Sequence, residues 1–250
     1  MSWLVQSYAW PSEAFWRYFE LKSLQRHAFQ RPILELGCGS GRFSEMLLEH
    51  IEDAIDVNPA AVERCRTGTD LYGRVRCLDA RDLVAEQPYG TVFANCVLEH
   101  ISGIGPVLQG IRRSLRPGGE LVATVPLVSM NDHLRFRSHR YAAARQQQLV
   151  HVNLFTADEW ETLLHQHGFS TVTVRPYLYG SQCKFWDSID WLACAGVGRY
   201  RVAVVVRRLL NSVLPPRVQR SLTSEIASAL LRRANVQPRG DACAVTIVAS

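Results

Sequence analysis

The sequence predicts one α/β domain in which a mostly parallel sheet carries helices on both faces. The chain has 250 residues, of which 47% are hydrophobic, and this is enough to build one core of ordinary size. Short apolar runs alternate with helical patterns through the first two thirds of the chain, which is typical of a parallel sheet. A glycine-rich turn at residues 37–41 separates the first apolar run from the pattern that follows it.

Seven apolar runs have the length of strands. Strands are predicted over residues 33–36, 54–57, 75–78, 91–97, 120–126, 171–175 and 242–249. Ligands of such sheets bind beyond the carboxyl ends of the strands, so the residues that directly follow these runs are the first candidates for a site.

Helix signals lie between these runs. Asn58 before Pro59 predicts an N-cap with proline in the first turn, and Thr156 with Glu159 has the sequence of a capping box. Further helices are predicted over residues 41–50 and 106–115. An aromatic cluster near the start of the chain predicts a helix over residues 11–28 that is either packed or a lid over the site.

Composition excludes several classes of protein. The net charge of +5 is too small to indicate nucleic-acid binding by itself. Residues 1–6 contain no basic segment followed by an apolar core, so no secretory signal peptide is expected. Seven cysteines without a CxxC pair indicate reduced thiols, and we expect a cytoplasmic protein without a disulfide framework or a metal site.

The glycine-rich turn has the sequence Glu35-Leu36-Gly37-Cys38-Gly39-Ser40-Gly41. Glycine lets the backbone bend sharply and lets a ligand approach the main chain, and a helix N-terminus behind the turn would favour an anionic group. Arg42 stands where the dinucleotide fingerprint needs a third glycine, and the lysine-containing phosphate loop is missing. The turn therefore predicts a ligand-binding loop that is neither a dinucleotide fingerprint nor a lysine-containing phosphate loop.

Polar residues follow the next strands at the same edge. Asp56 ends the second strand, where a carboxylate can accept both ribose hydroxyls of an adenosine. Asp79 follows the third strand and is placed to accept from an adenine amino group. Asn95 and Leu98 follow the fourth strand beside the same crevice.

Five motifs occur in order at residues 33–41, 54–57, 77–80, 95–101 and 115–121. On these motifs the chain resembles the class I S-adenosylmethionine-dependent methyltransferases over residues 30–176 and 242–249. It is most similar to the small-molecule branch with ubiquinone, menaquinone, sugar and natural-product O-methyltransferases. The resemblance implies a Rossmann-like sheet of seven strands with an antiparallel last strand. It also implies S-adenosyl-L-methionine as cofactor and S-adenosyl-L-homocysteine as product.

The resemblance assigns roles to three groups of residues. The first cradles the methionine end and orients its amino group, the second holds the ribose, and the third contacts the adenine and lines the methyl side. These groups are Glu35 with Gly37, Gly39 and Gly41; Asp56 with Val57; and Asp79, Ala80, Asn95 and Leu98.

A hydroxyl acceptor needs a base to take its proton, and histidine is the usual one. In the family, the chain after the fifth strand faces the acceptor, and here it contains His133, His139 and His151, which are the predicted catalytic candidates. Glu99 and His100 form a further acid–base candidate, although packing within the turn after the fourth strand is the favoured interpretation of that pair.

The predicted organisation is a methyltransferase core over residues 1–180, a helical basic insertion over 181–240 and the last core strand over 241–250. The family usually joins its last two strands by a short hairpin. The insertion contains ten basic and three acidic residues. It predicts a cap on the acceptor pocket, a peripheral contact with the inner membrane surface through residues 185–233, or an RNA-binding face. No RNA-binding signature accompanies it, so a nucleic-acid partner is the least favoured.

The predicted function is O-methylation of a small-molecule acceptor, such as a saccharide, a lipid-linked precursor or a natural-product intermediate. The alternatives are an RNA methyltransferase that holds phosphates with the insertion, and a non-catalytic adaptor that keeps the cofactor fold. The complete first motif and Asp56 argue against an adaptor.

Overall fold

A computed structural model describes residues 2–8, 10–84, 87–194, 196–197, 200–201 and 215–250. The main strands are β1 (Ile33–Leu36), β2 (Ile51–Asp56), β3 (Tyr72–Cys77), β4 (Tyr89–Asn95), β5 (Leu115–Pro126), β6 (Val172–Tyr179) and β7 (Ala242–Ala249). The helices are α1 (Ser2–Ser7), α2 (Pro11–Leu24), α3 (Pro59–Gly68), α4 (Ile104–Ser114), α5 (His139–Leu149), α6 (Ala157–Gln166), α7 (Gly180–Cys194) and α8 (Pro216–Ala234). A separate two-residue strand pair joins Gly196–Val197 to Tyr200–Arg201.

The main strands form one sheet in the order β3-β2-β1-β4-β5-β7-β6. The strands β1 to β5 are parallel to their neighbours among themselves, whereas β7 runs antiparallel to both β5 and β6. The predicted Rossmann-like sheet with an antiparallel last strand is therefore confirmed. Asp56 pairs with Cys77, and Asn95 pairs with Thr124, so the carboxyl ends of β2 to β5 meet at one edge.

Helices cover both faces of this sheet. Because side chains alternate along a strand, Val245 and Ile247 of β7 join the cluster that includes α4 and α6. Ala244 joins instead the cluster that includes α2, α7 and α8. Phe15 and Phe19 of α2 are buried in this second cluster, so the aromatic start of the chain forms a packed helix.

Two local helix signals act as predicted. The Asn58 side chain accepts a hydrogen bond from the backbone N–H of Ala60 at 3.0 Å, and Pro59 begins α3. Thr156 and Glu159 form the reciprocal bonds of a capping box at the start of α6. Both signals depend only on neighbouring residues, which is why the sequence reveals them.

The helix predicted over residues 41–50 is wrong, because the chain there forms only a 3₁₀ turn at Ser44–Met46. The Ser44 hydroxyl donates to the buried Glu35 carboxylate at 2.5 Å. Leu47 and Leu48 pack into the cluster around Phe43, and β2 starts at residue 51 rather than 54. These tertiary contacts override the local helical pattern. The helix expected to begin behind the glycine turn is therefore only the 3₁₀ turn Ser44–Met46.

The segment between β6 and β7 contributes α7 and α8 to the described structure. α7 packs against α2, and α8 begins directly after Pro215, with Pro216 as its first residue. The apolar run at residues 202–206 lies outside the described residues. Among the helices that are described, none is long and apolar enough to cross a membrane. The domain boundaries at 180 and 240 stay predictions.

Candidate functional site

The glycine-rich turn follows β1 with three residues in the left-handed region. Gly37, Gly39 and Gly41 have φ values of 69°, 57° and 74°. The Gly37 N–H donates to the Ile55 carbonyl at 2.7 Å, which holds the turn against β2. A Cβ at Gly39 would meet no heavy atom within 4 Å, so the backbone at the centre of the turn is open to a ligand.

Gly37→Ala is expected to lower the free energy of unfolding by about 3 kcal/mol, because a left-handed alanine costs ~1–2 kcal/mol and core overpacking costs ~1–3 kcal/mol. Its Cβ would lie 2.5 Å from Cγ2 of Val97, a short side chain that cannot turn away. Gly39→Ala is the matched control and should lose only about 1–2 kcal/mol, from backbone strain alone. Urea denaturation of both variants measures the difference, and equal losses would contradict the close packing at Gly37.

Glu35 lies buried behind this turn. Its carboxylate accepts hydrogen bonds from the Ser44 hydroxyl at 2.5 Å and the Tyr72 hydroxyl at 2.7 Å. Burial raises the pKa of Glu35 to about 7. The side chain therefore supports the turn from inside, and its predicted effect on the methionine amino group would pass through the turn.

Asp56 connects the glycine turn to the end of β2. Its carboxylate accepts from the Gly39 N–H at 2.9 Å and from the Asn58 N–H at 2.8 Å. The next residue, Val57, is 67% exposed, and such an exposed apolar side chain beside a carboxylate suits the face of an adenosine. The open glycine backbone, this acid and this apolar surface fit the predicted cofactor, with Asp56 at the ribose and Val57 beside it.

The turns after β3 and β4 complete the predicted cofactor residues. Asp79 accepts from the Arg81 side chain at 2.6 Å and from the Arg81 backbone N–H at 2.9 Å, and these bonds lower the pKa of Asp79 to about 2. Ala80 follows it and is partly buried. Asn95 accepts from the Thr124 hydroxyl at 2.8 Å, while Leu98 is buried. The structure thus brings all the predicted cofactor residues to one edge of the sheet, and their roles stay predictions.

A pocket of about 330 Å³ opens at the ends of β4 and β5. Its walls come from α2, from the turn after β4, from the end of α5 and from α7. They include three tryptophans and several ionisable groups. The lining residues are Trp10, Ser12, Glu13, Trp16, Arg17, Cys96, Glu99, His100, Pro126, Met130, Leu149, His151, Trp186 and Asp190.

Of the three histidines predicted as bases, His151 is the one that lines this pocket. One nitrogen of His151, one of His100 and a carboxylate oxygen of Glu99 lie within 4.8 Å of one another. Burial and the nearby His100 lower the pKa of His151 to about 4, so its ring is neutral at neutral pH. The sequence predicts no metal here, and that expectation stays a prediction.

Glu99 is 1% exposed, and burial raises its pKa to about 8. One of its oxygens has no hydrogen-bond partner among the described residues. The His100 ring lies 3.7 Å from the other oxygen. At neutral pH the carboxyl group is therefore mostly protonated, and it can donate that proton beside the two histidines.

The loop between α5 and α6 is held in a strained conformation next to these groups. Val150 has φ 59°, a left-handed conformation that costs a branched residue about 1–3 kcal/mol. Its side chain is 63% exposed, so burial of the side chain does not offset the free-energy cost of this conformation. Its carbonyl accepts from Nδ1 of His100 at 3.0 Å, and the His151 backbone N–H donates to the Gln146 carbonyl. The strained residue Val150 therefore lies at the place where His100 and His151 come together.

His133 and His139 lie in a different place, a surface pocket that they share with Asp241. The His133 ring is 3.3 Å from Asp241 and packs against Gly180, where a Cβ would come within 2.4 Å of the ring. His139 is exposed at the start of α5. The structure therefore does not bring these two histidines into the pocket of His151.

A buried carboxylate that sequence analysis missed fixes one wall of the pocket. Glu20 of α2 is fully buried and receives bonds from α2 itself, from the turn after β4 and from β6. A glutamate four residues after Trp16 in an aromatic helix is the sequence signal that could have revealed it. Its donors are Trp16, Arg17, Cys96 and Tyr177.

A second buried network ties α5, α7 and α2 together. Arg145 is 3% exposed and pairs with Asp187 at 2.8 Å and with Asp190 at 2.7 Å. Asp190 also accepts from the Ser12 hydroxyl at 2.8 Å. Breaking such a buried pair leaves a charge without its partner, which is strongly destabilising. The pocket wall formed by α7 is therefore firmly attached to α2.

Comparison with known proteins identifies the family of this chain. A family profile described as "Methyltransferase domain" matches residues 16–174. The chain is 28% identical over 158 residues to a malonyl-[acyl-carrier protein] O-methyltransferase of Paenibacillus sp., with 58% of this chain and 57% of the relative covered. It is 25% identical over 184 residues to the human mitochondrial ubiquinone biosynthesis O-methyltransferase, covering 66% and 50%. The chain spans about half the length of these curated relatives.

Solved structures share the fold at low identity. A Haemonchus contortus phosphoethanolamine N-methyltransferase, solved with phosphomonomethylethanolamine and S-adenosylhomocysteine, superposes with a TM-score of 0.55 at 16% identity. The match covers 94% of this chain and 52% of that one. The [4+2]-cyclase SpnF superposes with a TM-score of 0.57 at 15% identity, covering 95% and 81%. Because the two names describe different reactions, the fold alone does not fix the acceptor chemistry. Since the family profile covers more than half of its residues, the chain belongs to the methyltransferase domain family, within the class I S-adenosylmethionine-dependent methyltransferases.

Proposed function

We propose that the protein transfers a methyl group from S-adenosylmethionine to a hydroxyl oxygen of a small-molecule acceptor. The proposal rests on the pocket of about 330 Å³ beside the sheet edge that carries the predicted cofactor residues. His151 and Glu99 both line this pocket. Its volume is at the lower end of the range for small-molecule sites. Curated relatives are named as O-methyltransferases, which supports oxygen as the acceptor atom.

His151 would take the hydroxyl proton. Its neutral imidazole would accept the proton as the acceptor oxygen attacks. A carboxyl oxygen of Glu99 lies within 4.8 Å of a His151 ring nitrogen, so the ionised fraction of Glu99 would stabilise the imidazolium that forms. When bound, S-adenosylmethionine supplies a methyl group on positively charged sulfur, and its transfer to the oxygen leaves neutral S-adenosylhomocysteine. Positioning of the acceptor oxygen against the methyl group would supply most of the rate.

The test has two stages. Titration calorimetry with S-adenosylmethionine and S-adenosylhomocysteine should give binding in the micromolar range. Methyl-deuterated S-adenosylmethionine is then incubated with panels of saccharides, phenols and natural-product alcohols, and mass spectrometry locates the label. Label on oxygen is expected. Tight cofactor binding with label on nitrogen, carbon or RNA would contradict O-methylation, and no cofactor binding would favour the adaptor.

For the acceptor we further propose a lipid-linked precursor, reached by peripheral contact of residues 185–233 with the inner membrane surface. α7 exposes Trp191 and Leu192, and α8 exposes Val218 and Leu222, which are four residues apart on one helical face. Arg217 is exposed beside that face. Apolar residues flanked by arginine favour the surface of an anionic bilayer.

Sedimentation with lipid vesicles tests this contact. The protein should pellet with vesicles that contain phosphatidylglycerol, and much less with phosphatidylcholine alone, because the arginines need anionic lipid. Replacing Trp191 and Leu192 by serine should reduce the pelleted fraction several-fold. Trp3→Ser, which changes an exposed tryptophan of α1, is the matched control. Equal pelleting of the two variants, or none of the wild type, would exclude a membrane role for α7.

A further inference from the structure

A short chain of side-chain hydrogen bonds leads from the surface to His151. Nε2 of Gln146 donates to the Asn131 side-chain oxygen at 2.6 Å. The other end of the Gln146 amide, its Oε1 atom, lies 2.6 Å from Nδ1 of His151. Gln146 is on α5 and Asn131 is in the 3₁₀ helix Val128–His133 after β5. Two separate elements therefore hold the amide from which His151 takes its orientation.

This chain decides which nitrogen of His151 carries the proton. Because Gln146 turns its amino group to Asn131, it presents an oxygen to His151, and an amide oxygen can only accept. Nδ1 of a neutral His151 must then be protonated, so Nε2 carries the free lone pair. Nε2 has no hydrogen-bond partner among the described residues, and the ring lines the acceptor pocket. A histidine that takes a proton through Nε2 needs this tautomer, because Nε2 must be unprotonated.

We propose that Gln146 and Asn131 are positioning residues that hold His151 as the Nδ1–H tautomer, with Nε2 as the proton acceptor toward the pocket. The inference rests on the proposed function for its catalytic meaning, although the tautomer itself can be measured without an acceptor. His100 differs, because a backbone carbonyl fixes its Nδ1 proton. His151 depends instead on two side chains, which substitution can change.

Several ionisable groups face His151 or lie across the pocket from it. His100 and Glu99 approach from the turn after β4, and Arg145 from α5. Both His100 and Arg145 disfavour a positive charge on the His151 ring. Because both groups remain in place in the Gln146 variants, any change in the pKa of His151 can be assigned to residue 146. The groups across the pocket are Glu13, Arg17 and Asp190.

Nitrogen NMR of histidine-labelled protein tests the proposal, with the His151 signals assigned from a His151→Gln sample. In the wild type, the spectrum should show the Nδ1–H tautomer. Gln146→Leu removes the acceptor, and the ring should then shift toward the Nε2–H tautomer. Gln146→Glu places a carboxylate at Nδ1 and should raise the pKa of His151 by about 1–3, because an opposite charge at this distance favours the protonated ring.

Gln147, the exposed neighbour on the same helix, provides the matched controls. Gln147→Leu and Gln147→Glu should leave both the tautomer and the pKa of His151 near the wild-type values. An Nε2–H tautomer in the wild type, or a Gln146→Leu spectrum that matches the Gln147→Leu spectrum, would overturn the proposal. The readout needs no methyl transfer. If the tautomer is as expected but no oxygen is methylated, then the proposed function fails and the positioning role remains.

Discussion

His151→Gln is expected to lower kcat by about 10²–10⁴-fold, the usual contribution of a general base. Glutamine keeps the approximate size of the side chain but cannot take a proton from the acceptor. Calorimetry should give an unchanged affinity for S-adenosylhomocysteine, because His151 lies on the acceptor side and not among the predicted cofactor residues. The wild-type rate should fall at acid pH, where the ring becomes protonated with a pKa of about 4.

His139→Gln separates the competing assignments. This histidine is exposed in the other pocket, so its replacement should leave kcat within about twofold, as for most surface changes away from a site. If the loss occurs in His139→Gln and not in His151→Gln, the base has been misassigned. If neither variant loses activity, the acceptor is acidic enough to need no base.

Asp56→Ala is expected to weaken binding of S-adenosylmethionine by about 10–150-fold, or ~1.5–3 kcal/mol, the range for hydrogen bonds to a charged group. The same carboxylate accepts from the N–H of Gly39, so the substitution also loosens the glycine turn. Titration calorimetry gives the affinity directly. The melting temperature without ligand separates a local loss from unfolding.

Two further variants make this experiment specific. Asp56→Asn retains an oxygen for Gly39 but loses the charge, so an intermediate affinity is expected. Asp70→Ala replaces an exposed aspartate before β3 and should bind the cofactor like the wild type. Unchanged affinity in Asp56→Ala would remove Asp56 from the ribose site.

The sequence predicts those parts of the site that depend on strand ends. Parallel strands carry their carboxyl ends to one edge, so a sequence that marks β1, β2 and β4 also predicts that Gly37, Asp56 and Asn95 share a crevice. The caps at Asn58 and Thr156 are equally predictable because their bonds reach only two or three residues along the chain. In each case the deciding interaction is either local or follows from topology alone.

The acceptor side depends on contacts that no local pattern encodes. Glu99 and His151 lie close together beside Val150, which adopts a left-handed conformation that a branched residue rarely takes. Arg145 reaches Asp190 from a helix 45 residues away in the chain. The failed helix at 41–50 has the same origin, since Ser44 bonds to Glu35 across the turn.

The order of strands in the sheet has a consequence for synthesis of the protein. β7 lies between β5 and β6, and among the described strands β6 pairs only with β7. A ribosome therefore makes β6 and α7 well before residues 242–249 emerge to connect them to the rest. Until then, the edge of β5 is open on the nascent chain, and exposed edges invite pairing with other chains. The strands β1 to β5 can pair as they are made, whereas β6 and α7 join the sheet only after β7 is complete, so we expect the nascent chain to be prone to aggregation during this interval.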